Sequence, residues 1–202
     1  MKHEGWPLED IGVDLDANQL GQLETFEGLI RERAVPQGMV GANDLPRLRS
    51  RHILDSLRGA EAVRPEERSA LDMGSGAGLP GVVIAIACPN LSVTLVEVRR
   101  YRAAFLELAL DQLQIPNASI HHGRVEDLTD LSGLVDLCFA RAFASGSKSW
   151  QVAEPLLAPA GRLLYWAGES FEVSEVPEGI RIEVSQVAAL ARSGPLVMMS
   201  RQ

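Results

Sequence analysis

A glycine-rich segment carries the strongest chemical signal in the sequence. It reads Leu-Asp-Met-Gly-Ser-Gly-Ala-Gly-Leu-Pro-Gly over residues 71–81. Glycines allow tight turns and a close approach of the backbone to a ligand, and a helix that follows offers N–H groups to an anion. The segment therefore predicts a nucleotide-like ligand, although a plain strand-to-helix turn would use the same residue types.

Two cofactors fit the spacing of this segment. Residues 76–81 satisfy G-x-G-x-x-G, and Glu97 follows Gly76 by 21 residues, where a dinucleotide fold places the acid that binds ribose. Spacing alone therefore allows NAD. Charge favours S-adenosylmethionine, because Asp72 would oppose the two negative charges of a pyrophosphate but suits an ammonium and a sulfonium. We predict S-adenosylmethionine as the cofactor, with Asp72 near its cations and Glu97 on its ribose hydroxyls.

The elements that must position these residues follow from the alternation of apolar runs. Strands are predicted at 69–73, 93–96, 119–122, 134–140 and 161–166, and helices at 82–87, 103–113 and 150–157. Runs at 180–187 and 196–199 predict an antiparallel pair of strands at the sheet edge. The pattern predicts an α/β fold with a doubly wound, mostly parallel seven-stranded sheet of the Rossmann-like type, whose ligand lies beyond the carboxyl ends of the strands.

A helical extension is predicted before this core. We place it at 1–67 and the cofactor-binding core at 68–202, in one compact domain. Asp16 or Asn18 begins its first helix, and apolar spacing from Leu45 to Leu57 predicts a second. The remaining faces of the second helix carry the densest basic cluster of the chain: Arg47, Arg49, Arg51, His52 and Arg58.

Composition is that of a globular protein with an acidic balance. The 202 residues are 46% hydrophobic and 23% charged, which excludes disordered, collagenous and membrane classes. The 19 Lys and Arg residues against 27 Asp and Glu residues give a net charge of −8. Such a protein is repelled by nucleic acid at long range, so any RNA partner must be bound through a local basic patch.

Other features predict a cytoplasmic monomer without a metal. Cys88 and Cys138 lie in apolar runs without the spacing of metal ligands and read as reduced, packed thiols. Residues 1–12 hold charged side chains and no apolar stretch, which argues against a secretory signal. No run of 18 apolar residues occurs, so no membrane span is predicted.

Four segments together resemble a known family. They are Arg-His-Ile-Leu-Asp-Ser at 51–56, the glycine-rich segment at 72–81, Gly-Arg-Val-Glu at 123–126 and Ala-Arg-Ala-Phe-Ala-Ser at 140–145. In this order and spacing they resemble the ribosomal RNA small subunit methyltransferase G family, also called glucose-inhibited division protein B, of the class I methyltransferases. The resemblance covers nearly the whole chain. It implies methyl transfer from S-adenosylmethionine to N7 of a guanine in small-subunit (16S) ribosomal RNA.

The resemblance also implies roles for individual residues. Cofactor contacts fall on Gly74, Leu79, Val125, Glu126 and Arg141, in addition to Gly76 and Gly78 of the glycine-rich segment. Val125 and Glu126 would read the adenine edge. Arg141 would face the cofactor carboxylate or the RNA, and it needs an anionic partner because an unpaired buried charge is costly. The residues expected in catalysis are Arg141, Arg124 and His52.

Arginine clusters are the predicted contacts to ribosomal RNA or to the small subunit. Arginine binds phosphate bidentately and stacks on bases, so a few such residues can overcome a repulsive net charge at short range. The expected contacts are Arg47, Arg51, His52, Arg100, Arg102 and Arg124.

Guanine N7 carries a lone pair and no proton, so methylation there needs alignment and electrostatics rather than a general base. Two departures from the family pattern concern the substrate: Tyr101 and Ala167 stand where lysines are expected. Two alternatives therefore stay open. One is a divergent methyltransferase acting on a small molecule or protein, and the other is a non-catalytic module that binds RNA or a nucleotide.

Overall fold

Seven strands among the described residues form one sheet. The computed structural model describes residues 6–173, 176–185 and 194–202. The strands are β1 (Ser69–Met73), β2 (Ser92–Glu97), β3 (Ala118–His122), β4 (Val135–Arg141), β5 (Leu157–Trp166), β6 (Ile180–Ser185) and β7 (Leu196–Arg201). Their order is β3-β2-β1-β4-β5-β7-β6; β7 is antiparallel to both β5 and β6, and the other neighbouring strands are parallel. The predicted mostly parallel sheet with an antiparallel edge pair is confirmed.

Five α-helices among the described residues flank this sheet. They are α1 (Ala17–Leu29), α2 (Leu54–Glu61), α3 (Gly81–Ala87), α4 (Arg100–Leu113) and α5 (Gly146–Ala153). Successive buried strand residues alternate between two apolar clusters. Leu137 and Phe139 join the cluster that includes α1 to α4, whereas Cys138 and Ala140 join the cluster that includes α5. The strand β4 is therefore buried on both faces, as its continuous apolar run predicts.

The first helix begins at a capping box. The Asp16 carboxylate accepts a hydrogen bond from the Gln19 N–H, and the Gln19 side chain accepts one from the Asp16 N–H. The amide nitrogen of the Gln19 side chain also donates to Ile86 O at 2.8 Å, near the end of α3. The cap that the sequence predicts at Asp16 thus also attaches α1 to the helix that follows the glycine-rich loop.

The second predicted helix is interrupted. Residues Ala42–Arg47 form a 3₁₀ helix and Leu48–Ile53 a π-helical turn before regular α2 begins. Pro46 lies in the 3₁₀ part, where its missing N–H prevents a continuous α-helix. We call residues 42–53 the basic segment. Its irregular backbone aims its side chains differently from the single amphipathic helix that the sequence predicts.

Two boundaries near the C-terminus differ from prediction. The helix predicted at 150–157 begins earlier, because the Ser145 side chain caps α5 by accepting from the Lys148 N–H. Leu157 instead begins β5 and pairs with Val135 of β4. The edge strand predicted at 180–187 is described as far as Ser185, and residues 186–187 lie outside the described residues.

The strand order reverses between β1 and β4. The chain leaves β1 toward β2 and β3 on one side, and β4, β5 and β7 lie on the other. In open α/β sheets a crevice forms beyond the carboxyl ends of the strands at such a point. The glycine-rich loop after β1 and the Arg141 end of β4 border this crevice.

Candidate cofactor and acceptor site

The loop after β1 contains a glycine whose position leaves no room for a side chain. Gly78 has a φ of 81°, and a Cβ there would lie 2.6 Å from Val82 Cγ2 and 3.1 Å from Phe26 Cζ. The Ser75 N–H donates to Val96 O at 2.9 Å, which joins the loop to the end of β2. The loop backbone is therefore packed between α1 and α3, as its glycine content predicts.

Asp72 lies behind this loop. Its side chain is 1% exposed, and its Oδ2 accepts a hydrogen bond from the Gly81 N–H at 3.1 Å. Burial raises the pKa of this carboxyl to about 7, against the opposing effect of hydrogen bonds from Ser75 and Gly81. The sequence predicts a carboxylate facing a cation and a helix N–H free for an anion. The first N–H of α3 is bonded to this carboxylate, so that donor is not free for an anion.

Glu97 joins two loops at the carboxyl end of β2. Its Oε2 accepts from the Gly76 N–H at 3.0 Å, and its Oε1 accepts from the Arg99 N–H at 2.8 Å. The Arg102 guanidinium lies 4.0 Å from Oε2. Glu97 is buried and holds the glycine-rich loop at a fixed distance from the turn that begins α4.

The loop after β3 lies beside Glu97. The Gly123 N–H donates to Glu97 O at 3.2 Å, and Val125–Asp127 form one 3₁₀ turn. Val125 is buried and Glu126 is exposed. The geometry thus brings the loops of β1, β2 and β3 together at one edge of the sheet, where the sequence predicts the cofactor residues.

Arg141 ends β4 and has a partner within the chain. Its Nε lies 3.2 Å from Asp55 Oδ2, and its Nη2 donates to Arg51 O at 3.1 Å. The anionic partner that the sequence demands for this arginine is therefore a carboxylate of α2. This pair fixes the N-terminal helices against the sheet at the edge of the crevice.

His52 lies against the same guanidinium. Its Nδ1 is 3.1 Å from Arg141 Nη2, which can only donate, so we assign the ring proton to Nε2. Nε2 lies 3.4 Å from Asp44 Oδ2. Burial, and then the Arg141 charge, hold the pKa of His52 below its usual value, so the ring is neutral near pH 7. Of the three residues expected in catalysis, His52 and Arg141 are in contact, whereas Arg124 is exposed on the loop after β3.

Two buried residues of α2 belong to this cluster and were missed. Asp55 pairs with Arg141, and its Oδ1 lies 2.9 Å from Arg58 Nη2. Arg58 was predicted on a basic face of the second helix with the other arginines; that prediction is wrong, because its side chain is only 3% exposed. The (i, i+3) spacing of Asp55 and Arg58, each directly after a leucine, is the only local signal of this pair in the sequence.

The arginines of the basic segment are of two kinds: some are exposed to solvent, and one pairs with a buried carboxylate of the protein. Arg47 and Arg51 each lie 3.4 Å from Asp44 and are about half exposed. Arg49 differs, since its Nε lies 2.8 Å from the buried Glu27 and its guanidinium covers the Trp6 ring at 4.4 Å. Arg49 was predicted with its neighbours as part of one basic face, but its charge is used inside the protein.

A second basic cluster begins α4. Arg99, Arg100 and Tyr101 are exposed and Arg102 is partly buried. The Tyr101 hydroxyl accepts hydrogen bonds from Arg99 Nη1 at 3.4 Å and Arg102 Nε at 3.2 Å. These hydrogen bonds lower the pKa of Tyr101. The cluster presents arginines around an aromatic ring close to the glycine-rich loop.

A pocket of about 520 Å³ opens at the carboxyl ends of β4 and β5. Its lining includes Arg58, Arg141, Ala142, Ala144, Trp166 and Ala167. Ala142 has a φ of 53°, a conformation that residues with a Cβ adopt rarely and at a cost of about 1–3 kcal/mol. The volume is within the range of small-molecule pockets, roughly 300–1,000 Å³.

The described ranges also bear on metal binding, on membrane crossing and on the two cysteines. They hold no group of three or more His, Cys, Asp or Glu side chains that could bind a metal. None of the helices seen in these ranges is long and apolar enough to cross a membrane. Cys138 is fully buried, and burial raises its thiol pKa, which fits core packing. Burial also raises the pKa of Cys88 to about 11.

Comparison with known proteins identifies similar sequences over most of the chain. A family model described as rRNA small subunit methyltransferase G matches residues 19–192. A protein named ribosomal RNA small subunit methyltransferase G from Ralstonia nicotianae is 36% identical over 182 residues, which are 86% of this chain and 81% of that protein. The protein of that name from Salinispora tropica is 38% identical over 170 residues, covering 81% of this chain and 69% of that one.

Solved structures share the fold at low sequence identity. A mutant of MtNAS in complex with S-adenosylmethionine has a TM-score of 0.60 and 16% identity, over 90% of this chain and 72% of that one. A methyltransferase from Geobacter sulfurreducens has a TM-score of 0.57 and 13% identity, over 90% and 88% of the two chains. At such identities the likeness shows a methyltransferase fold and no more.

Proposed function

The chain belongs to the rRNA small subunit methyltransferase G family, and on that premise we propose that it transfers a methyl group from S-adenosylmethionine to N7 of a guanine in small-subunit (16S) ribosomal RNA. Family membership makes it an S-adenosylmethionine-dependent rRNA methyltransferase. The choice of guanine N7 is the finer part of the proposal, and it is supported by the chemistry of the residues at the site.

The observation that carries the proposal is the position of Glu97. This buried carboxylate joins the Gly76 N–H of the first loop to the Arg99 N–H of the second, at the carboxyl ends of neighbouring parallel strands. An acid at this position suits two ribose hydroxyls, and the side-chain-free backbone at Gly74 and Gly76 suits close approach of a ligand. The residues present therefore fit an adenosine-containing methyl donor.

We assign cofactor binding to the three adjacent loops. The proposed contacts are Gly74, Gly76, Gly78, Leu79, Glu97, Val125, Glu126 and Arg141. Asp72 supports this surface by accepting a hydrogen bond from the Gly81 N–H. When bound, S-adenosylmethionine supplies an electrophilic methyl group on a sulfonium.

The chemistry of guanine N7 agrees with what the chain offers around Arg141. N7 has no proton to remove, so the protein must align the base and hold its charges in place. Asp55 and His52 hold Arg141 at the crevice, and His52 stays neutral near pH 7. We assign Arg141 to the reacting centre and His52 to its positioning, and we place Arg124 at the RNA.

We propose that the RNA docks on arginines around the crevice that are exposed or, in the case of Arg102, partly buried. They are Arg47, Arg51, Arg100, Arg102 and Arg124. Because the net charge is −8, binding relies on these local contacts, and its affinity will fall steeply with salt. We further propose a cytoplasmic monomer in which residues 1–67 form a helical extension on the core at 68–202.

The test is methyl transfer from labelled S-adenosylmethionine to two substrates. Intact small subunits and stripped 16S rRNA are incubated with the protein and digested to nucleosides. We expect N7-methylguanosine from at least one of them. No N7-methylguanosine above background from either would refute the proposal, and labelled small molecules or protein would support the alternative substrate, which the net charge and Ala167 favour.

Cofactor binding is tested separately by calorimetry. Glu97→Ala should weaken S-adenosylmethionine binding by about tenfold or more, since it removes the acceptor of two loop N–H groups and of the ribose. Glu107→Ala is the matched control, because Glu107 is an exposed acid on α4. Equal affinities of the two variants would contradict the site.

A further inference from the structure

The pocket at the carboxyl ends of β4 and β5 is adjacent to the glycine-rich loop. Ala142 and Ala144 line the pocket, and Phe143 between them packs against the loop, since a Cβ on Gly74 would lie 3.0 Å from Phe143 Cδ2. The segment 142–144 thus has the cofactor loop on one side and the pocket on the other. A group bound in the pocket would be close to the proposed methyl donor.

Arg58 is the residue of this pocket whose hydrogen bonding is incomplete. It is 3% exposed, and its Nη2 lies 2.9 Å from Asp55 Oδ1. Its Nε and Nη1 are buried and make no hydrogen bond to any described residue. A buried N–H without an acceptor costs about 1–3 kcal/mol, and buried polar groups in native proteins are nearly always bonded.

Arg162 shows how the same protein buries an arginine for structure alone. Its Nε and Nη2 donate to the Glu67 carboxylate at 2.7–2.9 Å, and Nη2 also donates to Ala62 O. This bidentate pair is typical of a structural buried arginine. Arg58 differs from Arg162 in that its Nε and Nη1 have no acceptor among the described residues.

The departure at position 167 concerns the same place. Ala167 stands where the resemblance expects a lysine after β5, and it lines the pocket together with Arg58. The pocket therefore lacks the lysine that the resemblance expects after β5, but it contains the guanidinium of Arg58 from α2.

We propose that Arg58 recognises the target base by donating a hydrogen bond to guanine O6. This inference rests on the proposed function. N7 must keep its lone pair for the methyl group, so the neighbouring acceptor O6 is the atom left for a donor. Adenine carries an amino group at that position, and its donors would oppose those of Arg58. Asp55 lies between the guanidinium groups of Arg58 and Arg141 and offsets one of their two positive charges.

The first part of the test changes the RNA. The guanine that the wild-type protein methylates is mapped, and 2-aminopurine, which keeps N7 but lacks O6, is placed there in the form of substrate that is active. We expect kcat/KM to fall roughly 10- to 100-fold, the cost of one lost base contact. If no guanine N7 is methylated at all, the proposed function fails before this inference is reached.

The second part changes the protein. Arg58→Met should lose roughly the same 10- to 100-fold on guanine RNA, lose little more on 2-aminopurine RNA, and keep its S-adenosylmethionine affinity within about twofold. Arg162→Met, which also removes a buried paired arginine, should be destabilised but keep the full preference for guanine over 2-aminopurine.

Two results would overturn the inference. One is equal methylation of guanine and 2-aminopurine by the wild-type protein, which decides the question even if Arg58→Met does not fold. The other is an Arg58→Met variant that retains the wild-type preference for guanine.

Discussion

The glycine-rich loop and the basic segment meet the same crevice but are held by different kinds of contact. Backbone N–H groups bonded to two buried acids, Asp72 and Glu97, fix the loop. The basic segment is fixed largely by side-chain pairs, with Asp44 and Glu27 as the acids. Backbone contacts to buried groups leave little freedom, whereas exposed ion pairs are weak and screened by salt.

This difference separates the binding of a small cofactor from the docking of RNA. A cofactor site requires atoms placed within a fraction of an ångström, which a buried loop provides. A docking surface requires charge within reach of phosphates, and partly exposed arginines can rearrange to meet them. Substitutions in each region can show whether the loop and the basic segment differ as much as their contacts indicate.

The largest effect is expected in the loop, from Gly78→Ala. The new Cβ would collide with Val82 at 2.6 Å in a left-handed backbone conformation, and we expect a loss of about 2–4 kcal/mol of stability together with cofactor binding. Chemical unfolding and calorimetry measure both. Gly21→Ala is the matched control, since a Cβ there has nothing within 4 Å, and it should be neutral or slightly stabilising. Wild-type cofactor affinity in Gly78→Ala would contradict the close packing of the loop.

A smaller effect is expected from the titration of Asp72. Its pKa is about 7 in the folded protein and about 3.9 in an unfolded chain, so the folded state binds the proton more tightly. The free energy of unfolding should therefore fall as pH rises from about 4 to 7 and level off above that range. Asp72→Asn removes this contribution, because an amide does not titrate.

Melting temperatures at pH 5 and pH 8 measure the difference. From pH 5 to pH 8 the melting temperature of the wild-type protein should fall further than that of Asp72→Asn. The expected difference is about 2–4 °C for each kcal/mol of stability that Asp72 contributes. Asp111→Asn, at an exposed site on α4, should keep the wild-type profile. Parallel profiles of wild type and Asp72→Asn would show that Asp72 is as accessible to water as the surface acids.

The same contrast explains what the sequence could predict. The strands of the sheet follow from local apolar patterns, and the loop after β1 follows from its glycines. Both were therefore predicted, with small errors at the ends of the strands. Ser145 was a readable cap signal that the helix boundary at 150 overlooked. Arg58 and Arg49 were assigned to solvent because their surroundings, the β4 end and Glu27 with Trp6, lie far away along the chain. Ion pairs between residues that are distant along the chain produce no periodic pattern in the sequence, so they could not be predicted from it.

The smallest effects should distinguish arginines within the basic segment. Arg49→Met removes a partner of the buried Glu27 and a contact to Trp6, so we expect a loss of about 1 kcal/mol of stability and unchanged RNA affinity. Arg51→Met leaves the backbone contact to Arg141 intact and removes an exposed charge, so stability should stay within about 0.5 kcal/mol.

For Arg51→Met we expect the change in RNA affinity instead of in stability. Affinity for stripped 16S rRNA should fall a few-fold, and the slope of log affinity against log salt should decrease by about one, because one phosphate contact is lost. Filter binding at two salt concentrations measures this, and thermal unfolding supplies the stability. If Arg49→Met and Arg51→Met weaken RNA binding equally, the basic segment acts as one uniform charged face, and its division into internal and docking arginines is wrong.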